Sequence, residues 1–100
     1  MKNIDLERIA AHWAARGFSC DLWIDPPGQQ WEDFHHDVDE VVLVVEGEME
    51  FEIEGTIYHP EAGEEIFIPA GTLHSMRNLG KTVAQWLYGY KSNGGHESVH

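Results

Sequence analysis

Val41-Val42-Leu43-Val44-Val45-Glu46-Gly47-Glu48-Met49-Glu50-Phe51-Glu52-Ile53-Glu54 holds two kinds of β-strand in one stretch of chain. From Glu46 onward, Met49, Phe51 and Ile53 alternate with acids at a period of two, the pattern of a strand with one face in a core and the other in water. Val41 to Val45 is rich in β-branched residues and does not alternate, as expected for a strand covered on both faces. With Glu46-Gly47-Glu48 as the turn between them, the stretch reads as a hairpin. Glu46, Glu48, Glu50, Glu52 and Glu54 then lie along a solvated face, where their like charge opposes edge-to-edge association.

Working outward, the pattern stays β. Gly55 turns into Thr56 to His59, Pro60 to Gly63 makes another turn, Ile66 to Ile68 is a short strand, and Thr82 to Tyr90 is a long aromatic-rich one. Upstream, Phe18 to Ile24 reads as a first strand, closed by the turn cluster Asp25-Pro26-Pro27-Gly28. Before it, Ile4, Leu6, Ile9, Ala10, Trp13 and Ala14 fall mostly three or four apart, with Gly17 where a helix would stop. Short strands with frequent turns argue for a barrel or sandwich and against βαβ units. The expected layout is one all-β domain: a helix within 1–17 packed on a small antiparallel β-barrel over 18–91, and a flexible tail over 92–100.

Composition narrows the function classes. Six Lys plus Arg stand against 18 Asp plus Glu, a formal charge of −12, which repels phosphate backbones and anionic headgroups, so neither nucleic acid nor a membrane is expected as a partner. The longest apolar run, Val41 to Val45, is far short of the ~20 residues of a spanning helix. No charged-then-apolar leader opens the chain, so a cytoplasmic location is expected. Cys20 is the only cysteine, which excludes an intrachain disulfide and leaves stability to the core, a metal or a second subunit. A Gly-rich phosphate loop, a Ser-His-Asp order and a CxxC pair are all missing, so phosphoryl transfer, serine hydrolysis and dithiol redox chemistry have no basis.

Two segments carry chemistry. In the first, Gly28 is followed by Phe34, His36, Glu40 and Gly47; in the second, Gly63 leads to Pro69, Gly71, His74 and Asn78. These spacings resemble the two signature motifs of the cupin superfamily. The second matches at every fixed position, and the first departs only at Phe34, where the family has its first histidine. The resemblance spans residues 28 to 78 and implies a jelly-roll barrel whose interior holds a divalent metal, with His36, Glu40 and His74 as the ligands. Imidazole plus carboxylate suits Fe, Mn, Ni, Cu or Zn and leaves positions open for substrate. On a continuous strand, Phe34, His36 and Glu40 share parity and face one side, with His35 on the other. An alternative register uses Asp33, His35 and Glu40.

The other candidates have ordinary readings beside the functional one. Cys20, Phe34, Met76, Trp86 and Tyr88 are candidates for the pocket lining, with Trp23, Trp31 and Tyr90 beside them, although aromatics in a small barrel commonly form its core or a dimer face. His12, His59, His96 and His100 read as surface residues. The function implied is a metal-dependent enzyme, dioxygenase- or isomerase-like, acting on a small molecule in the barrel. A non-catalytic ligand sensor and a barrel whose metal is structural or absent are the alternatives. A homodimer is expected at this size.

Overall fold

A computed structural model describes residues 4–92. One helix, α1 (Leu6–Ala15), precedes eight strands: β1 (Asp21–Asp25), β2 (Gln30–Phe34), β3 (Glu40–Glu46), β4 (Met49–Ile53), β5 (Thr56–Tyr58), β6 (Glu65–Ile68), β7 (His74–Asn78) and β8 (Ala84–Tyr90). They form two antiparallel four-stranded sheets, ordered β1-β8-β3-β6 and β2-β7-β4-β5, the all-β jelly-roll architecture with one short N-terminal helix. Among the described residues no helix is long and apolar enough to cross a membrane. The tail over 92–100 lies, but for Ser92, outside the described residues, as do His96 and His100.

The reading of Val41 to Val45 as covered on both faces holds for Val41 to Val44, while Val45 is only half-buried, and the reason is visible in the packing. Val42 and Val44 point between the sheets, into a core with Met49, Phe51, Ile68, Met76, Ala84 and Trp86. Val41 and Leu43 point outward and are covered by Trp13 of α1, together with Phe18 and Leu87. The helix is anchored at both ends. The Asp5 carboxylate accepts the Arg8 N–H at 3.1 Å, and near the other end Trp13 Nε1 and both terminal nitrogens of Arg16 donate to Glu65. Full burial of such side chains is worth about 1.5–3 kcal/mol each, so this doubly covered strand is the axis of the fold.

Several expectations are corrected. β3 and β4 are not a hairpin: β3 pairs with β6 and β8, β4 with β5 and β7. At Gly47 (φ +99°) the chain crosses from one sheet to the other, and a Cβ there would stand 2.8 Å from Ala84 Cα, so the turn is pressed against β8 and opens between the layers. Two strands, β2 and β7, escape the sequence reading because Gln30–Phe34 and His74–Asn78 are polar and carry no apolar run. Phe34, His36 and Glu40 do not sit on one continuous strand, since β2 ends at Phe34, β3 begins at Glu40 and a loop lies between. The first strand begins at Asp21 rather than Phe18, which makes only an isolated bridge to Lys91.

The acidic face also differs from expectation. Glu50 and Glu52 are half-buried and, with Glu32, accept hydrogen bonds from one guanidinium, that of Arg77 on β7, at 2.6 to 2.9 Å. This clamp joins β2, β7 and β4 across the outer face of the second sheet. It offsets the mutual repulsion that the acidic alternation would otherwise create.

Candidate functional site

β3 opens with Glu40, whose side chain is 2% exposed. Its Cα partners are Ile68 on one side and Tyr90 on the other, so it points into the space between the sheets. His74 opens β7 in the facing sheet and is equally buried. His36 arrives from the 35–39 loop, which is tied down by three main-chain N–H donors: Gly71 N–H to the His36 carbonyl at 2.7 Å, Ala70 N–H to the Asp39 carboxylate at 2.8 Å, and Lys91 N–H to the Asp39 carbonyl at 2.8 Å. Motif residue Gly71 (φ +77°) thus fixes the loop that carries His36.

His74 Nε2 lies 3.4 Å and His36 Nε2 3.7 Å from Glu40 Oε1, and one ligand atom from each residue falls within 4.8 Å of the others. Donors bound at about 2.0–2.2 Å to one ion stand roughly 3 to 3.5 Å apart, so the spacing fits a single divalent metal. Two further observations agree. Glu40 Oε1 and His74 Nε2 are buried with no hydrogen-bond partner, which is costly unless something else satisfies them. His74 Nδ1 lies 3.0 Å from the Thr72 carbonyl, which fixes the proton on Nδ1 and turns the lone pair of Nε2 toward Glu40. Burial alone would lower the His74 pKa, but Glu40 and the Thr72 carbonyl outweigh it and the pKa is raised.

Aromatic rings surround this cluster. Phe34, opposite His74 in the β2–β7 register, meets its ring edge-on at 6.5 Å, in the place where the sequence motif would have another imidazole. A bulge between Trp31 and Phe34, with Asp33 at φ +59° and its N–H on Ser75 Oγ, brings Phe34 to that position. The Tyr90 hydroxyl lies 3.3 Å from His36 Nε2. Burial, then the charge of Glu40, pushes its pKa well above the ordinary tyrosine value, so it keeps its proton.

The remaining predicted residues are placed as follows. His35 and Asp33 are exposed and outside the cluster. Cys20 is half-buried but packs with Trp13, Phe18 and Leu87 on the outer side of the first sheet, so as a candidate for the pocket lining it is corrected. Met76 and Trp86 are buried in the core between the sheets, and Tyr88 packs against it, half-buried. His12 and His59 are exposed, His59 with its ring 2.9 Å from Glu50.

Asp25, in sequence the first residue of a turn cluster, has a larger role in the fold. It is 1% exposed, and its carboxylate accepts three indole N–H groups: Trp23 and Trp31 on Oδ1 at 2.8 and 3.1 Å, and Trp86 on Oδ2 at 3.0 Å. In sequence it reads as part of a turn, and one of its partners is 61 residues away. Asn78 has a similar hidden role, its amide donating to the carbonyls of Asp25, Pro26 and Thr82.

Comparison with known proteins bears on this architecture. A family model described as "Cupin domain" matches residues 21–90. No curated protein matches the chain in sequence. Among solved structures, the cupin domain of Cnp3 from Schizosaccharomyces pombe superposes with a TM-score of 0.71 at 17% identity, covering 77% of this chain and 57% of that one. DMSP lyase DddQ from Ruegeria pomeroyi gives 0.70 at 21% identity, over 83% of this chain and 42% of that one. A salicylate 1,2-dioxygenase from Pseudaminobacter salicylatoxidans gives 0.70 at 18%, over 75% and 22%. At these identities the likeness is one of fold, and the chain spans little more than half of the first of these structures.

Proposed function

The chain belongs to the cupin family, and from that premise we propose that it binds one divalent metal ion through His36, Glu40 and His74 and acts on a small molecule in the barrel. The observation that carries this reading is the pair of buried atoms without hydrogen-bond partners, Glu40 Oε1 and His74 Nε2, which face each other at 3.4 Å with His36 Nε2 beside them. Two imidazoles and one carboxylate form the donor set of metal sites that keep several coordination positions open, as in iron oxygenases.

Such an ion, when bound, supplies a Lewis acid for a substrate oxygen or, as iron, a centre for oxygen activation. The chain's own residues do the rest. Thr72 holds the His74 tautomer. Phe34 keeps a third imidazole out and presents a ring edge instead, which makes that side of the triad apolar. Tyr90, kept protonated, is a hydroxyl donor at the rim of the site next to His36. That a dioxygenase and a lyase share the fold supports a catalytic role over a purely structural one.

A homodimer and a cytoplasmic location belong to the same proposal. Leu22 and Ile24 on the edge strand β1, 42% and 55% exposed, supply an apolar strip for a partner copy, to be checked by sedimentation equilibrium. The metal is tested by elemental mass spectrometry. About one ion per chain is expected in the wild type, lost in His36→Ala and His74→Ala while circular dichroism shows both folded. A wild type that takes up none of Fe, Mn, Ni, Cu or Zn overturns the reading.

A further inference from the structure

The first sheet has an open edge that the metal cluster does not use. On β1, Asp21, Trp23 and Asp25 stand opposite Tyr88, Trp86 and Ala84 of β8. Trp86 and Ala84 belong to the core between the sheets, and paired residues share a face, so all three β1 side chains point inward. Yet Trp23 is 40% exposed and Asp21 is exposed as well. An inward side chain that reaches solvent marks the place where the barrel opens, between the edge strands β1 and β2.

This mouth is walled by aromatic rings. Trp23 meets Trp31 at 6.0 Å and Tyr88 at 6.2 Å, with interplanar angles of 74° and 76°. Two rows of rings lead inward from it: Trp31 to Phe34 to His74, and Tyr88 to Tyr90 to His36. Walls at right angles make a corner rather than a parallel slot, a shape suited to a compact, rounded group and not to a flat ring. The indoles cannot swing freely, because Trp23 and Trp31 both donate to Asp25 Oδ1. Donation to a carboxylate also adds electron density to the indole and strengthens its attraction for a cation.

The charges agree. Asp21 and Asp25 lie on the inner face of β1 and Glu40 on that of β3, while β1, β2, β3 and β8 contain no Lys or Arg. Arg77, on β7, is engaged by Glu32, Glu50 and Glu52 on the outer face. With exposed Asp21 at the mouth and Asp25 and Glu40 inside, this end of the barrel would stay net negative even with a divalent ion bound.

We propose that the mouth between β1 and β2 is a subsite for a small organic cation of the alkylated ammonium class, held against Trp23, Trp31 and Tyr88 in front of the Asp25 carboxylate. As the substrate class of the enzyme, this rests on the reading of the preceding subsection; as a binding site, it stands on the aromatic corner alone. The test is calorimetric titration of the wild-type protein, with metal content measured on the same sample, using choline, its neutral carbon isostere 3,3-dimethylbutan-1-ol, and benzoate. Choline is expected to bind at least about tenfold more tightly than the isostere, with benzoate weakest. Trp23→Leu should weaken choline about tenfold, and Asp21→Asn should weaken it several-fold and reduce its salt dependence. Choline binding to protein that takes up none of Fe, Mn, Ni, Cu or Zn would sustain the subsite while removing the metal reading. Equal affinity for the isostere, preference for benzoate, or no heat with millimolar choline would overturn the proposal. So would a wild-type dimer that ignores choline and is split by Trp23→Leu, since the corner would then belong to a second copy.

Discussion

Among the described residues two carboxylates are buried inside this barrel, and they live in opposite circumstances. Asp25 has three indole donors on its two oxygens. Glu40 has an oxygen with none, facing an equally unpartnered imidazole nitrogen. Burying a carboxylate is costly unless donors or a cation compensate for the lost water. At Asp25 the chain supplies that compensation itself, so the group acts as a fixed hub for the tryptophan wall. At Glu40 the described chain supplies no donor to Oε1, which is what the proposed metal would satisfy. A satisfied buried charge organises the structure around it, whereas an unsatisfied one makes a place for something to bind.

The largest expected effect tests the satisfied member. Asp25→Ala strands three indole N–H groups, at about 1–3 kcal/mol for each buried donor left unpaired. Allowing for the part exposure of Trp23, the loss should be roughly 3 kcal/mol or more, read as a fall in Tm on the order of 15 °C. A fall of only a degree or two would break the contrast. Next, Phe34→His adds a third imidazole opposite His74, a fourth ligand, and should tighten metal binding on the order of tenfold in a competition titration with a chelator. Unchanged affinity would show that the ring at position 34 does not face the triad.

Glu40→Gln should move the other way from Asp25→Ala. With no donor lost, metal-free protein is expected to keep its stability to within about 1 kcal/mol in urea unfolding, while metal uptake is abolished. A large loss of stability without metal would place Glu40 alongside Asp25 as a structural group. The smallest effect concerns the outer face. Glu32 is held below the ordinary carboxylate value by Arg77, and Glu50 by His59 and then Arg77. Groups with lowered pKa values contribute stability above that ordinary value and lose it as pH falls through the folded one. Arg77→Met should therefore melt a few degrees below wild type near pH 6, with the gap closing toward about pH 3 and in high salt. A gap that does not depend on pH would assign Arg77 a packing role instead.

Much of this is legible in the order of the residues. Alternation at Met49, Phe51 and Ile53 and the unbroken Val41 to Val45 run identify a two-layer β fold, because side-chain period and burial are local consequences of strand geometry. The helix and its Gly17 stop are legible for the same reason. Motif spacing brought His36, Glu40 and His74 forward as a set, and the structure places one donor atom of each within 4.8 Å of the others. The parity argument offered for Phe34, His36 and Glu40 does not hold, because a loop separates the two strands and a bulge at Asp33 resets the register.

Other features depend on pairings that no local pattern encodes. Whether β3 folds back on β4 or crosses to the facing sheet depends on Gly47 pressing against Ala84, far along the chain. The strand character of β2 and β7 comes from neighbours rather than composition, for their polar outer residues are matched by Arg77 and the acids around it. The Asp25 hub joins residues 2, 6 and 61 positions away. Periodicity and charge act between residues adjacent along the chain and can be read from their order. The partners of a buried polar group are drawn from whichever strands the fold brings alongside it, and they exist only once the two sheets have closed.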